Sequence, residues 1–216
     1  KPDGTRKARS CLDGSERSAP WLRAFVKTYA ASLSYPGLRL FCALCALQGK
    51  IAVFGDTENA FQQSPPPVKN CYVRIDDAYK SWFEKRYGRV LEWDKYVIPL
   101  QRALQGHPEA GVLWANKING IIGQELGLRS TVHEPTLYSG TVDGESVLMA
   151  RQVDDYAIGV ADVDLGERLI KILDSKVTTA SKGSGVHIEG KGLYYRYDGV
   201  DIFQTRDYIR LSAETY

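Results

Sequence analysis

Histidine is nearly missing from this chain, cysteine is sparse, and no long apolar run occurs. His107, His133 and His187 lie far apart with no ligand spacing. Cys42 and Cys45 form one C-x-x-C, but no second pair follows to complete a zinc site. Both fall in "GLRLFCALCALQG", which reads as an apolar helix, so core thiols are the expectation rather than a redox or metal pair. No secretory leader is legible, and a disulfide framework is therefore not expected. No apolar stretch reaches the roughly 20 residues that span a bilayer, so no membrane partner is expected. Charge of one sign is not in excess either: the formal net charge is +2, which neither demands nor excludes a nucleic-acid partner. The start of the chain is locally basic. Lys1, Arg6, Lys7, Arg9, Arg17, Arg23 and Lys27 there face only Asp3, Asp13 and Glu16, a basic segment suited to phosphate or simply solvated. Internal repeats and domain linkers are absent.

What the chain has is an ordinary globular composition, 44% hydrophobic and 25% charged, in a mixed order of elements. Residues 21–31, 36–48, 76–87, 107–126 and 163–177 read as helices. Pro108 is placed in the first turn of the fourth. "KIAVFGD", "CYVRI", "YVIPL", "PTLYSGTV", "ESVLMARQV" and "YAIGVA" read as strands, with "DGE" a hairpin turn between the fourth and fifth. The Gly- and Tyr-rich tail predicts short strands and then the start of a helix. Strands and helices do not alternate regularly, which favours an α+β fold with an antiparallel sheet backed by helices.

One stretch is chemically odd. In "LMARQVDDYAIGVA", Asp154 and Asp155 sit side by side within an apolar segment. Adjacent carboxylates repel, and burying them is costly without compensation. A tight turn accounts for them in part. Asp56 also ends an apolar strand, in "VFGDTENAF". If the two strands are neighbours, three carboxylates converge, an arrangement that is unfavourable alone and favourable around divalent cations.

"KARS", "GDTENAF", "RALQGHPEAGVLW", "QVDDYAIG" and "VDIFQTRDYI" occur in the order found in reverse transcriptases of copia-type LTR retrotransposons, and the chain resembles them over nearly its whole length. The resemblance implies the fingers and palm of a right-hand polymerase. Residues 1–33 and 62–107 would be fingers-like, and 34–61 and 108–216 palm-like. Thumb and RNase H regions are not recognisable, and a piece excised from a longer Pol polyprotein is the expectation. The implied activity is RNA-directed DNA polymerase, acting on an RNA or DNA template with a primer and deoxynucleoside triphosphates. Asp56, Asp154 and Asp155 would hold two Mg²⁺ ions, with Mn²⁺ as a substitute. One ion would lower the pKa of the primer 3′-hydroxyl, and the other would neutralise the leaving pyrophosphate.

Further roles follow by position. Lys7 and Arg9 match fingers residues that grip the triphosphate. Phe61 matches the steric gate that excludes a ribose 2′-hydroxyl, though it reads equally as a core aromatic. Asn59 beside it shapes the turn. In the middle motif two alignments stay open: Gln105 with Gly106 contacts the nucleotide, which is preferred, or Glu109 stands at that position, where it would repel a triphosphate unless paired. Arg102 is a candidate for phosphate or template. Arg151 and Gln152 replace an aromatic before V-D-D, with Gln152 beneath the primer end. Gln204, Arg206 and Tyr208 fall in the segment resembling the primer grip. Implied partners are template–primer and the RNase H and integrase segments of the parent polyprotein. The implied place is the cytoplasm, within a virus-like particle, or the nucleus. The rival expectation is a catalytically inactive module of the same fold that binds nucleic acid or protein.

Overall fold

A computed structural model describes residues 11–15, 17, 28–205 and 207–213. The fold is mixed α+β with antiparallel sheets. In chain order the elements are α1 (Tyr35–Leu47), β1 (Ile51–Thr57), β2 (Tyr72–Val73), α2 (Asp77–Tyr87), β3 (Ile98–Pro99), α3 (Ala110–Glu125), β4 (Arg129–Ser130), β5 (Leu137–Val142), β6 (Glu145–Gln152), β7 (Asp155–Val160), α4 (Val163–Asp174), β8 (Thr179–Gly183), β9 (Val186–Ile188), β10 (Gly192–Tyr197), β11 (Val200–Gln204) and β12 (Ile209–Ser212). The chain divides into two compact units. One takes the described residues up to Tyr29 with Phe61–Trp114, the other Ala30–Ala60 with Ala115–Tyr216. The division expected from the sequence breaks after residues 33, 61 and 107; the units break after 29, 60 and 114.

The second unit is built on a six-stranded sheet in the order β4-β5-β6-β7-β1-β8, every pairing antiparallel. The β5–β6 hairpin turns through Asp143 and Gly144, whose φ of 53° and 85° are what a two-residue turn of this hand demands. On β1 the two faces part cleanly. Ala52 and Phe54 join Leu38, Phe41, Cys42 and Cys45 of α1 in one core, together with Tyr195, Tyr197 and Ile202 of the second sheet, β12-β11-β10-β9. Val53 and Gly55 face α4: a Cβ on Gly166 would meet Val53, and one on Gly55 would meet Ile170. The helices are set locally. Ser34 caps α1 by accepting from Gly37 N at 3.0 Å, and Asp162 caps α4 by accepting from Leu165 N at 2.8 Å. Leu165, Leu169, Ile170 and Leu173 then give α4 a buried stripe at helical spacing.

In the first unit, β2 and β3 pair over two residues each, with Tyr72 opposite Pro99. Both strands are shorter than "CYVRI" and "YVIPL" suggest, although Leu100 N donates to Cys71 O at 2.9 Å just beyond the paired residues. Helix α2 carries Tyr79, Phe83 and Tyr87 into an aromatic group with Trp82 and Trp93.

Three expectations are corrected. Residues 28–31 are not helical, while residues 21–27 of the predicted 21–31 helix lie outside the described residues. Helix α3 starts at Ala110, so Pro108 precedes it, in a turn closed by Ala110 N donating to His107 O at 3.0 Å. Among the described residues the tail's last element is a strand, not a helix. Ile209 and Leu211 alternate onto the core of the second unit, and that two-residue period wins. Among the described residues no helix is long and apolar enough to cross a membrane.

Cys42 and Cys45 are buried on α1. Burial pushes their thiols up to about 11 and about 12, the second also by its neighbour Cys42. Cys11 is exposed. Iodoacetamide at pH 8 should therefore label Cys11 first and leave Cys42 and Cys45 intact until the chain unfolds, read by peptide mass spectrometry. Early modification of either helix cysteine would contradict this packing.

Candidate functional site

Asp56 and Asp155 are directly opposed residues of the β1–β7 pair, and Asp154 lies in the two-residue turn that joins β6 to β7. One carboxylate oxygen of each lies within 4.8 Å of the others, all three half-buried. Like charges directly opposite destabilise a sheet, so the register itself imposes a cost that the rest of the unit offsets. Asp154 bears it visibly. Burial first, then the charges of Asp155 and Asp56, raise its proton affinity above the ordinary carboxylate value.

The turn is held from several sides. Thr57 N donates to Asp154 O at 2.8 Å, tying the turn to β1. Val153 has φ of 52°, a left-handed conformation that a β-branched residue adopts only under constraint. Behind it Arg151, 2% exposed, supplies the constraint. Its guanidinium donates to Val153 O at 3.2 Å, Tyr138 Oη at 3.1 Å and Asn119 Oδ1 at 3.4 Å. The Tyr197 hydroxyl from the second sheet lies 3.2 Å from Asp155 O and 3.3 Å from Ala150 O. On the opposite face the Tyr156 hydroxyl meets Thr57 Oγ1 at 2.8 Å, and burial raises its proton affinity.

Two charged residues that sequence reasoning passed over stand beside the cluster. Lys182 on β8 reaches Asp155 at 2.7 Å and Asp56 at 3.5 Å. Burial opposes its charge, but the hydrogen bond to Asp155 and the two carboxylates outweigh it and raise its proton affinity. Asp198, in the β10–β11 turn, binds its proton more tightly through burial and then the charge of Asp155. "YDGVD" announces that turn, but nothing in it announces a neighbour so far back in the chain.

The other expected site residues separate. Lys7, Arg9 and Arg206 lie outside the described residues, as does most of the basic start. Phe61, Arg102, Gln105 and Gly106 belong to the first unit, Phe61 half-buried and the others exposed. Gln105 O accepts from Leu12 N at 2.8 Å, and a Cβ on Gly106, whose φ is 87°, would run into the Leu12 carbonyl. That close approach already requires glycine. Glu109 is 3% exposed and accepts from Val68 N at 3.2 Å, so its carboxylate serves the interior of its own unit. Asn59, with φ of 49°, shapes its turn. Gln152 and Gln204 are half-buried, and their amides are engaged internally. Leu33 N donates to Gln152 Oε1 at 2.8 Å, and Gln204 Nε2 donates to Lys50 O at 2.6 Å. Tyr208 is exposed, beside Lys191, Asp201 and Arg210 in a cleft of about 390 Å³.

The donor set is all carboxylate, without thiolate or imidazole, which suits hard cations such as Mg²⁺ and Mn²⁺. Clustered acids on an antiparallel sheet, backed by helices, can concentrate positive charge where a phosphate oxygen develops negative charge. Comparison with family models, with curated proteins and with solved structures finds no match to this chain.

Proposed function

We propose that this chain is the fingers and palm of an RNA-directed DNA polymerase of the copia type, which extends a primer 3′-hydroxyl on an RNA or DNA template using deoxynucleoside triphosphates. The observation that supports it most is the meeting of Asp56, Asp154 and Asp155 through strand register, in the order and sequence context of the motifs they resemble. The unit carrying them corresponds to the palm, the other to the fingers.

In this reading Asp56, Asp154 and Asp155 would together hold the divalent cations. The cations supply positive charge that favours the deprotonated primer hydroxyl and the departing pyrophosphate. The chain's own task is to keep three repelling carboxylates in place. It does so with the β1–β7 ladder, the Thr57 N–Asp154 O bond and the buried Arg151 beneath the turn. Phe61, Gln105, Gly106, Arg102, Lys7 and Arg9 carry their nucleotide and template roles by resemblance. Tyr208 and Arg206 do so for the primer, whereas the amides of Gln152 and Gln204 act as internal braces. Template–primer is the implied partner, with other Pol segments.

Incubated with poly(rA)/oligo(dT), dTTP and Mg²⁺, the chain should extend the primer, and EDTA should stop it. Binding of the template–primer without extension, under Mg²⁺ or Mn²⁺, would move the reading to a catalytically inactive module of the same fold.

A further inference from the structure

We propose that Lys182 is a built-in counter-ion of the carboxylate cluster, and that an entering divalent cation must displace it from Asp56 and Asp155. The inference rests on the cation-binding reading above and adds a residue which that reading does not contain. Its basis is the path of β8. The β1–β8 register runs Phe54 opposite Gly183, then Gly55 opposite Ser181, so Lys182 is the extra residue of a bulge. A bulge leaves one residue out of the ladder and re-aims its side chain. Gly183 follows with φ of 75°, a conformation glycine takes without strain. Ser181 turns toward α4, where its hydroxyl donates to Glu167 at 2.7 Å. The ammonium of Lys182 comes down on the other side, 2.7 Å from Asp155 and 3.5 Å from Asp56.

A single exposed ion pair contributes little to stability. This ammonium differs because it touches two carboxylates that strand register forces together. Its positive charge offsets their repulsion where no other cation does so among the described ion pairs. It also stands at the oxygen atoms a divalent ion would need. An ammonium and a divalent cation cannot share those atoms without mutual repulsion. The side chain is 50% exposed, on the edge strand of the sheet among the described residues, so it has room to swing away. The consequence is a site that stays assembled without metal and binds metal more weakly than three free carboxylates would.

The test is Mn²⁺ binding to the full chain, followed by the electron paramagnetic resonance signal of free Mn²⁺ at low ionic strength. Lys182→Met should bind Mn²⁺ about tenfold more tightly than wild type, the direction that removing a competing charge dictates. Lys182→Arg, which keeps the charge, should not tighten binding. In the wild type, acetylation of Lys182 by an amine-reactive reagent should accelerate when Mn²⁺ is added, read by mass spectrometry. That measurement needs no variant to fold. Unchanged or weaker Mn²⁺ affinity in Lys182→Met, or acetylation indifferent to Mn²⁺, would overturn the counter-ion role while leaving the cation site standing. Failure of every form to bind Mn²⁺ would overturn both readings.

Discussion

On the proposed polymerase reading, Asp154→Asn is expected to abolish primer extension, with a loss of at least about 10³-fold, or about 4 kcal/mol of transition-state stabilisation. The amide is nearly isosteric and leaves the backbone bond from Thr57 N to Asp154 O intact. What it removes is a charged donor from a set of three whose oxygens lie within 4.8 Å of one another. The same substitution should make the cation-free protein more stable at neutral pH. Asp154 binds its proton more tightly in the folded chain because of burial and then the charges of Asp155 and Asp56. A carboxyl with a raised folded-state pKa costs stability when ionised, and the cost fades as pH falls from neutral toward the ordinary value of 3.8. The melting temperature of Asp154→Asn should therefore exceed that of wild type most at pH 7, and the gap should close on acidification. A variant that extends primers normally, or one less stable than wild type at pH 7, would break the link between repulsion and function.

Gly166→Ala is expected to destabilise the fold by about 2–4 kcal/mol and lower the melting temperature by roughly 5–12 °C. Alanine in place of glycine within a helix ordinarily stabilises, by about 1 kcal/mol. Here the new methyl group would sit 2.5 Å from Val53 Cγ2, 2.7 Å from Val53 Cβ and 3.2 Å from Val160 Cγ2. Neither valine can retreat, since both are buried on the inner strands β1 and β7. Helix α4 must lift instead, and the strand beneath it carries Asp56. Gly120→Ala on α3 is the matched control. A Cβ there meets nothing within 4 Å, so it should be neutral or stabilising. Thermal melts should show a lowered midpoint for Gly166→Ala and an unchanged or raised one for Gly120→Ala, and a raised midpoint in both would show that backbone propensity, not the approach of α4 to β1, decides the outcome.

The paired strands around the aspartates are legible in the sequence because the apolar runs "KIAVFG" and "YAIGVA" are bounded by chemistry that stops them: charge at Asp56 and a turn at Val153–Asp154. Asp143–Gly144 likewise announces a hairpin through local conformational preference. What the sequence hides is everything decided at long range. Lys182 owes its place to a one-residue slip between β1 and β8, and no composition signals a slip. Arg151 looks like a surface charge until Tyr138, Asn119 and the Val153 carbonyl receive it. Gln152 and Gln204 look available for nucleic acid, yet their amides satisfy main-chain groups of Leu33 and Lys50. The terminal "YIRLS" resembles a helix start in isolation. It becomes a strand because Ile209 and Leu211 find an apolar surface and the open edge of β11.

The Tyr197 hydroxyl has its own consequence. It comes from the second sheet, yet the oxygens it meets, those of Ala150 and Asp155, belong to the hairpin that presents the acids. Its ring is buried beside Phe54, so that hydroxyl has main-chain partners only while the two sheets are docked. Local fraying at the acidic tip therefore carries the penalty of parting the layers. The amide protons of β6, β7 and β10 should exchange with solvent as one cooperative unit, with protection set by global unfolding.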